Sequence, residues 1–168
     1  MKKVLLVIAQ KDFRDEEYLR PKEILLGRGA EVITASSSLN PARGKLGAVV
    51  QPDIALADAR AGDYDALVFI GGTGSEQYWD DPVAHALARD AAAQGKIIGA
   101  ICIAPVILAR AGVLKGRKAT VWASEAKQIE EYGAVYTGAD VQRDATIITG
   151  AGPFASEEFG RELSKALG

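Results

Sequence analysis

The stretch IIGAICIAPVILARAG, residues 97–112, joins an apolar strand pattern to a helical pattern and contains Cys102, the single cysteine of the chain. KIIGAI predicts a buried strand, and Pro105 is typical of the first turn of a helix. Cys102 therefore lies where a strand turns sharply into a helix, which is a nucleophile elbow with Cys in place of Ser. A helix N-terminus favours thiolate over thiol, so a reactive cysteine is expected. The alternative is a small buried apolar side chain.

Strand and helix patterns alternate along the rest of the chain. Buried strands are predicted at residues 2–9, 31–38 and 64–72, and a helix with Asp81 as its N-cap follows the third. This alternation predicts a mostly parallel sheet with helices on both faces. No linker, repeat or low-complexity tract interrupts it, so residues 1–168 are expected to form one domain.

The remaining segments complete this prediction. Residues 39–59 predict a hairpin followed by an acidic turn. RKATVWA (117–123) predicts a further strand, and SEAKQIEEYG (124–133) predicts a polar helix that begins at Ser124. Residues 134–152 predict two strands joined by a turn, and an amphipathic helix with Pro153 near its first turn ends the chain.

The composition is that of an ordinary globular protein. Of 168 residues, 20 are Lys or Arg and 22 are Asp or Glu, which gives a net charge of -2. Because no basic surplus exists, neither nucleic acid nor a membrane is expected as a partner. The apolar N-terminal run is too short to span a membrane, no targeting segment is found, and the single Cys fits a reducing cytoplasmic setting. One Cys and one His argue against a zinc site or iron–sulfur cluster, and no cofactor is expected.

Acidic residues follow the first predicted strand, at the edge of the sheet where ligands of such folds bind. Asp15, Glu16 and Glu17 suit the first turn of a helix, and this explains most of the cluster. Alternatively, one of these carboxyl groups points into the crevice and, when protonated, donates a hydrogen bond to a thiolate.

The turn IGGTGSEQ follows the third predicted strand. Gln77 stands where a dinucleotide fingerprint has its third glycine, so NAD binding is not predicted. An oxyanion-binding turn is the better functional interpretation, and an ordinary tight turn is the alternative. The single histidine, His85, lies within the helix after this turn, so no local Cys–His pair exists and a Cys–His hydrolase is disfavoured.

Four stretches together resemble the ThiJ/PfpI superfamily over nearly the whole chain. They are VLLVIAQKDFRDEEYLRP, DALVFIGGTGSE, GAICIAPVILARAGVLKGRKAT and TGAGPFASEEFGREL. The last stretch is similar to the branch of the Parkinson-associated protein deglycase. The resemblance implies a flavodoxin-like three-layer sandwich that forms a homodimer or a larger homo-oligomer, with subunit contacts around residues 40–52.

The resemblance also implies roles for individual residues. Cys102 would be the nucleophile, and Glu17 would be the acid that hydrogen-bonds the thiol. The backbone amides of Gly72 and Ile103 would form the oxyanion site. The pocket would be completed by Gly71, Trp122 and Glu76.

The chain departs from the family pattern at two positions where a histidine is expected. Ile103 replaces the His that directly follows the Cys in PfpI-type peptidases, and Glu76, which would pair with such a His of a neighbouring subunit, loses its partner. Trp122 stands where the deglycase branch often has a His near the thiol. Because Trp cannot act as a base and makes a pocket drier, peptidase activity is the least favoured reading.

Three functions remain open at this stage. The first is an enzyme of the glyoxalase or deglycase type, in which the Cys102 thiolate adds to a small reactive carbonyl and Glu17 shuttles the proton. The second is a redox module whose thiolate is converted by an oxidant to a sulfenic or sulfinic acid. The third is a chaperone-like, non-catalytic protein whose cysteine is enclosed by apolar neighbours and inert.

Overall fold

Seven strands form one central sheet in the computed structural model, which describes residues 1–168. The strands of the protein are β1 (Lys3–Val7), β2 (Lys11–Phe13), β3 (Glu31–Ser36), β4 (Ala42–Gly44), β5 (Val49–Val50), β6 (Ile54–Ala55), β7 (Ala66–Phe69), β8 (Ile97–Ile101), β9 (Lys118–Ala119), β10 (Val135–Tyr136), β11 (Val141–Asp144) and β12 (Ile147–Gly150). The α-helices are α1 (Asp15–Gly27), α2 (Pro82–Ala93), α3 (Pro105–Arg110), α4 (Ala126–Glu131) and α5 (Ser156–Leu167). Short 3-10 turns lie at Leu56–Asp58, Ala61–Asp63, Thr73–Tyr78, Ala123–Glu125 and Pro153–Ala155.

The strand order of the central sheet is β11-β12-β8-β7-β1-β3-β6. All neighbouring strands are parallel except β11, which pairs antiparallel with β12. Helices α1 and α5 pack together on one face, and α2 and α3 pack on the other. The predicted α/β fold, with a mostly parallel sheet between two helical layers, is confirmed. The sequence of β1 lacks alternation because residues 4–7 are buried on both faces of the sheet.

Two of the local predictions are wrong, and a third is incomplete, since residues 134–152 form three strands and not two. The strand predicted at residues 117–123 is reduced to β9, which pairs with β10 in a separate two-stranded sheet. The helix predicted from Ser124 begins at Ala126, after a 3-10 turn, because the Ser124 hydroxyl contacts Glu125 instead of capping the helix. The hairpin predicted at 39–59 is present as β4 and β5.

The β4–β5 hairpin is attached to the start of α1 by a buried carboxylate. Asp15 is 6% exposed and accepts hydrogen bonds from the amides of Leu46 and Ala48, each at 2.8 Å. Strand β2 pairs with β4 in the same small sheet. The first turn of α1 is therefore fixed by the hairpin as well as by the hydrogen bonds of the helix itself.

Strands β1, β7 and β8 are parallel neighbours, so their carboxyl ends meet at one edge of the sheet. The chain enters α1 after β1, the glycine turn 71–74 follows β7, and Cys102 follows β8. The fold thus brings three separate stretches of sequence to one crevice. No helix combines the length and apolar character needed to cross a membrane.

Candidate active site

Cys102 occupies the apex of the turn between β8 and α3 with a left-handed backbone, φ +65°. A non-glycine residue in this conformation costs on the order of 1–2 kcal/mol, which the surroundings must offset. Two hydrogen bonds hold it: its amide donates to the Gly150 carbonyl at 2.9 Å, and its carbonyl accepts from the Trp122 amide at 2.8 Å. The predicted nucleophile elbow is present, and the thiol is partly exposed.

Glu17 is the carboxyl group that α1 turns into the crevice. It is fully buried, while Glu16 beside it is partly exposed and pairs with Arg14. Neither side-chain oxygen of Glu17 has a hydrogen-bond partner of good geometry. Burying a carboxyl group without partners is costly unless it is protonated. The charged form of Glu17 therefore lowers the stability of the folded protein.

Gly71 explains how Glu17 and Cys102 come together. A Cβ atom at Gly71 would lie 2.5 Å from the Cβ of Cys102, from Oε1 of Glu17 and from the carbonyl oxygen of Ile101. Only glycine leaves room for both side chains at this point of the chain. The family-based expectation that Gly71 belongs to the pocket has this physical basis.

The protonation of the two groups is set mainly by burial. Burial raises the pKa of the Glu17 carboxyl to about 8, although Cys102 and the Gly71 amide act in the opposite direction. Burial also raises the pKa of the Cys102 thiol to about 12, and the charge of Glu17 adds to the effect. The expected lowering of the thiol pKa at a helix N-terminus is therefore wrong here, since α3 has six residues and the desolvation of the sulfur outweighs its dipole.

Two backbone amides face the sulfur. The N–H groups of Gly72 and Ile103 lower the pKa of the Cys102 thiol, and neither donates to another carbonyl of the protein. Gly72 has φ +97°, and a side chain there would collide with the backbone of residues 12–14. These amides form the donor pair that an oxyanion on a carbon attached to Sγ requires.

Trp79, whose side chain binds the backbone of Ile103, is not identified by the sequence analysis. The indole Nε1–H of Trp79 donates to the Ile103 carbonyl at 3.2 Å, and the Arg110 guanidinium lies 5.2 Å from the indole ring centre. His85 donates from Nε2 to the Trp79 carbonyl at 2.6 Å and so serves this same support. Trp79 directly follows the stretch IGGTGSEQY, so a large aromatic side chain next to this turn could have drawn attention to it. Only the fold shows what the side chain contacts.

The two other pocket residues differ in their relation to the thiol. Trp122, which is 41% exposed, contacts Cys102 through its backbone amide, while its ring packs against Gly152. The side chain of Glu76 is exposed and forms no hydrogen bond or ion pair. The side chain of Ile101 packs against Gly150 in the core.

No three His, Cys, Asp or Glu side chains converge in a way that would hold a metal ion.

Fold and site together define an α/β protein with a cysteine nucleophile elbow supported by a buried glutamate. Residues 2–166 match the DJ-1/PfpI family. The chain belongs to this family, as the resemblance implied.

Relatives of this chain extend over nearly its whole length. An uncharacterized protein of Methanocaldococcus jannaschii is 39% identical over 168 residues, 98% of this chain and 82% of the relative. A deglycase of Pyrococcus abyssi is 30% identical over 163 residues, 97% of this chain and 98% of the relative. A glutathione-independent glyoxalase of Caenorhabditis elegans is 28% identical over 166 residues, 99% of this chain and 89% of the relative.

Solved structures agree with the fold. The crystal structure of a ThiJ/PfpI domain protein from Brachyspira murdochii superposes with a TM-score of 0.96 at 29% identity, and the match covers 98% of this chain and 95% of that one. Drosophila melanogaster DJ-1beta superposes with a TM-score of 0.90 at 29% identity, over 99% of this chain and 91% of that one.

Proposed function

We propose that this protein is an enzyme of the glyoxalase or deglycase type that acts on small reactive carbonyl compounds through Cys102. The observation that carries the proposal is the placement of the Cys102 sulfur between a buried, unpartnered Glu17 and two free backbone amides. Relatives named as a deglycase and a glyoxalase support the same reaction class.

The first step is addition of the thiol to an aldehyde. The Glu17 carboxylate takes the proton of the thiol as Sγ bonds to the carbonyl carbon, and the π electrons of the C=O bond move to oxygen. The amides of Gly72 and Ile103 donate to that oxygen. Because the thiol is protonated at rest, Glu17 acts first as a base, and its pKa of about 8 lets a fraction of it serve at neutral pH.

For a 2-oxoaldehyde, the hemithioacetal then rearranges. Glu17 first returns the thiol proton to the oxyanion, which completes the hemithioacetal. The carboxylate then takes the proton of the carbon bonded to sulfur and delivers it to the neighbouring carbon. The hydroxyl proton passes from the first oxygen to the second, so the first carbon becomes the thioester carbonyl and the second carries the hydroxyl group. Water adds to the thioester carbonyl and the Cys102 sulfur departs with a proton, which gives a 2-hydroxy acid. The sum is dicarbonyl plus water giving hydroxy acid, with no external oxidant, and one carboxyl group acts as both base and acid.

The test is conversion of methylglyoxal to lactate by the wild type, Cys102→Ser and Glu17→Gln. We expect both variants to lose turnover. Glu158→Gln, a change at an exposed position, is the control and should keep it. In D₂O, deuterium should appear at C2 of the product if Glu17 exchanges its proton with solvent. Turnover that persists in Cys102→Ser would sink the proposal.

The redox alternative uses the same residues and needs no base. Its weakness is the raised pKa of the Cys102 thiol, because peroxide reacts with the thiolate. Peroxide oxidation of Cys102 faster than that of an unperturbed thiol, measured by intact mass, would favour it over turnover.

We further propose that the protein assembles as a homodimer or larger homo-oligomer through the β4–β5 hairpin. The hairpin presents the apolar side chains of Leu46 and Val49, which are 63% and 58% exposed. Burial of such side chains between copies would remove them from water. Replacing both with Lys and measuring the mass by light scattering tests this, with monomers expected and an unchanged mass as the contrary result.

A further inference from the structure

Arg14 lies at the rim of the crevice and is joined to it through the backbone. It is the N-cap residue of α1, three positions before Glu17, and its amide donates to the Gly71 carbonyl at 2.9 Å. Gly71 in turn lies against the side chains of Glu17 and Cys102. One residue therefore separates the Arg14 backbone from both reacting groups.

The Arg14 guanidinium is only partly engaged. Its Nε and Nη2 donate to the two carboxylate oxygens of Glu16, at 2.9 and 3.1 Å. These bonds use two of the five N–H donors of a guanidinium, and both donors on Nη1 have no partner in the protein. The Arg14 side chain is 31% exposed, so the unpaired donors are open to a ligand.

The charge of this guanidinium reaches the reacting groups. Arg14 lowers the pKa of Glu17, and the negative charge of Cys102 raises the pKa of Arg14. The geometry agrees with this, because the Arg14 amide is bonded to Gly71 and Gly71 lies against both Cys102 and Glu17.

We propose that Arg14 makes the Cys102 crevice select carbonyl compounds that carry a carboxylate, such as anionic 2-oxoaldehydes. The Glu16 carboxylate leaves the donors on Nη1 of Arg14 without a partner, and the planar fork of an arginine suits a carboxylate. The proposal rests on the proposed function for its substrate class, but the selection itself is a property of the crevice. Arg14 is a specificity residue and takes no proton in the reaction.

Two alkylating reagents test the selection without any turnover. Iodoacetate and iodoacetamide both carry CH₂–I, and with each the Cys102 thiolate forms an S–C bond while iodide leaves. They differ in charge, so the ratio of their rates reports the electrostatic preference of the crevice. We expect Arg14→Gln to lower the iodoacetate-to-iodoacetamide ratio by about threefold to fivefold at low salt, the range for one partly exposed charge.

Matched variants separate this effect from general damage. Arg14→Lys should keep most of the ratio because it keeps the charge. Glu16→Gln should raise the ratio because it frees the guanidinium. Arg20→Gln should leave it unchanged, since Arg20 lies six residues further along the chain and pairs with Glu23 and Glu157. High salt should compress all differences.

A second measurement uses reversible addition of aldehydes. Glyoxylate and glyoxal are similar in size and differ in charge, and either one forms a hemithioacetal in which Sγ bonds to the aldehyde carbon and the thiol proton ends on its oxygen. Glyoxylate should protect Cys102 from iodoacetamide at a lower concentration than glyoxal in the wild type, and this advantage should disappear in Arg14→Gln.

The outcomes distinguish the two proposals. If the ratios depend on Arg14 while methylglyoxal is not turned over, the selection stands and the proposed function fails. If turnover is found but Arg14→Gln changes neither the iodoacetate-to-iodoacetamide ratio nor the advantage of glyoxylate over glyoxal, the selection is overturned. Failure of either reagent to alkylate native Cys102 would also overturn it, because the crevice would then be closed.

Discussion

The indole nitrogen of Trp79 donates a hydrogen bond to the carbonyl oxygen of Ile103, at 3.2 Å. Trp79 is held from two sides, by the Arg110 guanidinium over its ring and by His85 at its carbonyl. Ile103 follows Cys102, and its amide faces the sulfur. Fixing the carbonyl of Ile103 limits rotation of the short turn, so we expect Trp79 to position the Ile103 amide, which is an oxyanion donor in the proposed reaction.

Trp79→Phe keeps an aromatic ring under Arg110 and removes only the N–H donor. We expect kcat for methylglyoxal to fall about tenfold with little change in KM, because a misdirected amide weakens oxyanion binding more than substrate binding. Steady-state kinetics measures both. Tyr132→Phe is the control, since Tyr132 is exposed and lies outside the site. An equal loss in the two variants would contradict the positioning role.

Glu17→Gln should change how stability depends on pH. The carboxyl group has an ordinary pKa of 4.5 and a folded pKa of about 8, so between these values the folded state keeps a proton that the unfolded state has lost. Wild-type stability therefore falls as pH rises through this window, by about 1.4 kcal/mol per unit and roughly 3–5 kcal/mol in total. Urea unfolding at pH 5, 6.5 and 8 should show this slope in the wild type and its loss in Glu17→Gln.

Glu16→Gln provides the matched control for that slope. The Arg14 hydrogen bond lowers the pKa of Glu16, so its stabilising contribution is present above pH 4.5 and lost only below it. Stability of Glu16→Gln should therefore keep the wild-type slope between pH 5 and 8. A flat wild-type profile in this range would show that Glu17 is not buried as described.

The alkylation of Cys102 by iodoacetamide should require alkaline pH. Because burial and the Glu17 charge raise the pKa of the thiol to about 12, the rate should still be rising above the ordinary thiol midpoint of about 8.5. Glu17→Gln should shift the midpoint downwards by removing the neighbouring charge. Intact mass against time at each pH gives the rates, and a wild-type midpoint well below 8.5 would overturn the assigned protonation.

Gly71→Ala should damage both stability and the site. Its new Cβ would press on Cys102, Glu17 and the Ile101 carbonyl at 2.5 Å, and such overpacking costs about 1–3 kcal/mol. Gly27→Ala is the matched control, because nothing lies within 4 Å of a Cβ there and Ala favours the helix by about 0.5–1 kcal/mol. Thermal or urea unfolding compares the two, and equal stability of both variants would contradict the close contact.

Much of the site could be read from local pattern. The apolar run before Cys102 and the proline after it predict a strand, a sharp turn and a helix. The left-handed backbone of Cys102 is shown only by the structure. The acidic residues after the first strand leave a few carboxyl groups as candidates for the partner of the Cys102 thiol. The family resemblance selects Glu17 among them. The limits appear at Ser124, where a good capping residue contacts Glu125 instead, and at residues 117–123, where a strand-like pattern stays outside the main sheet.

The alternation of strands and helices and the elbow were determined by the sequence alone, because hydrophobic period, proline and glycine act over a few residues. The family was indicated by the resemblance of four stretches of the sequence. The protonation of the site was decided only by the tertiary structure. Cys102 and Glu17 are 85 positions apart in the chain, and their pKa values depend on how much water the packed chain excludes and on which amides it leaves free. The same is true of the contacts of Arg14 and Trp79 with the site, since the folded chain alone brings Gly71 and Ile103 within their reach.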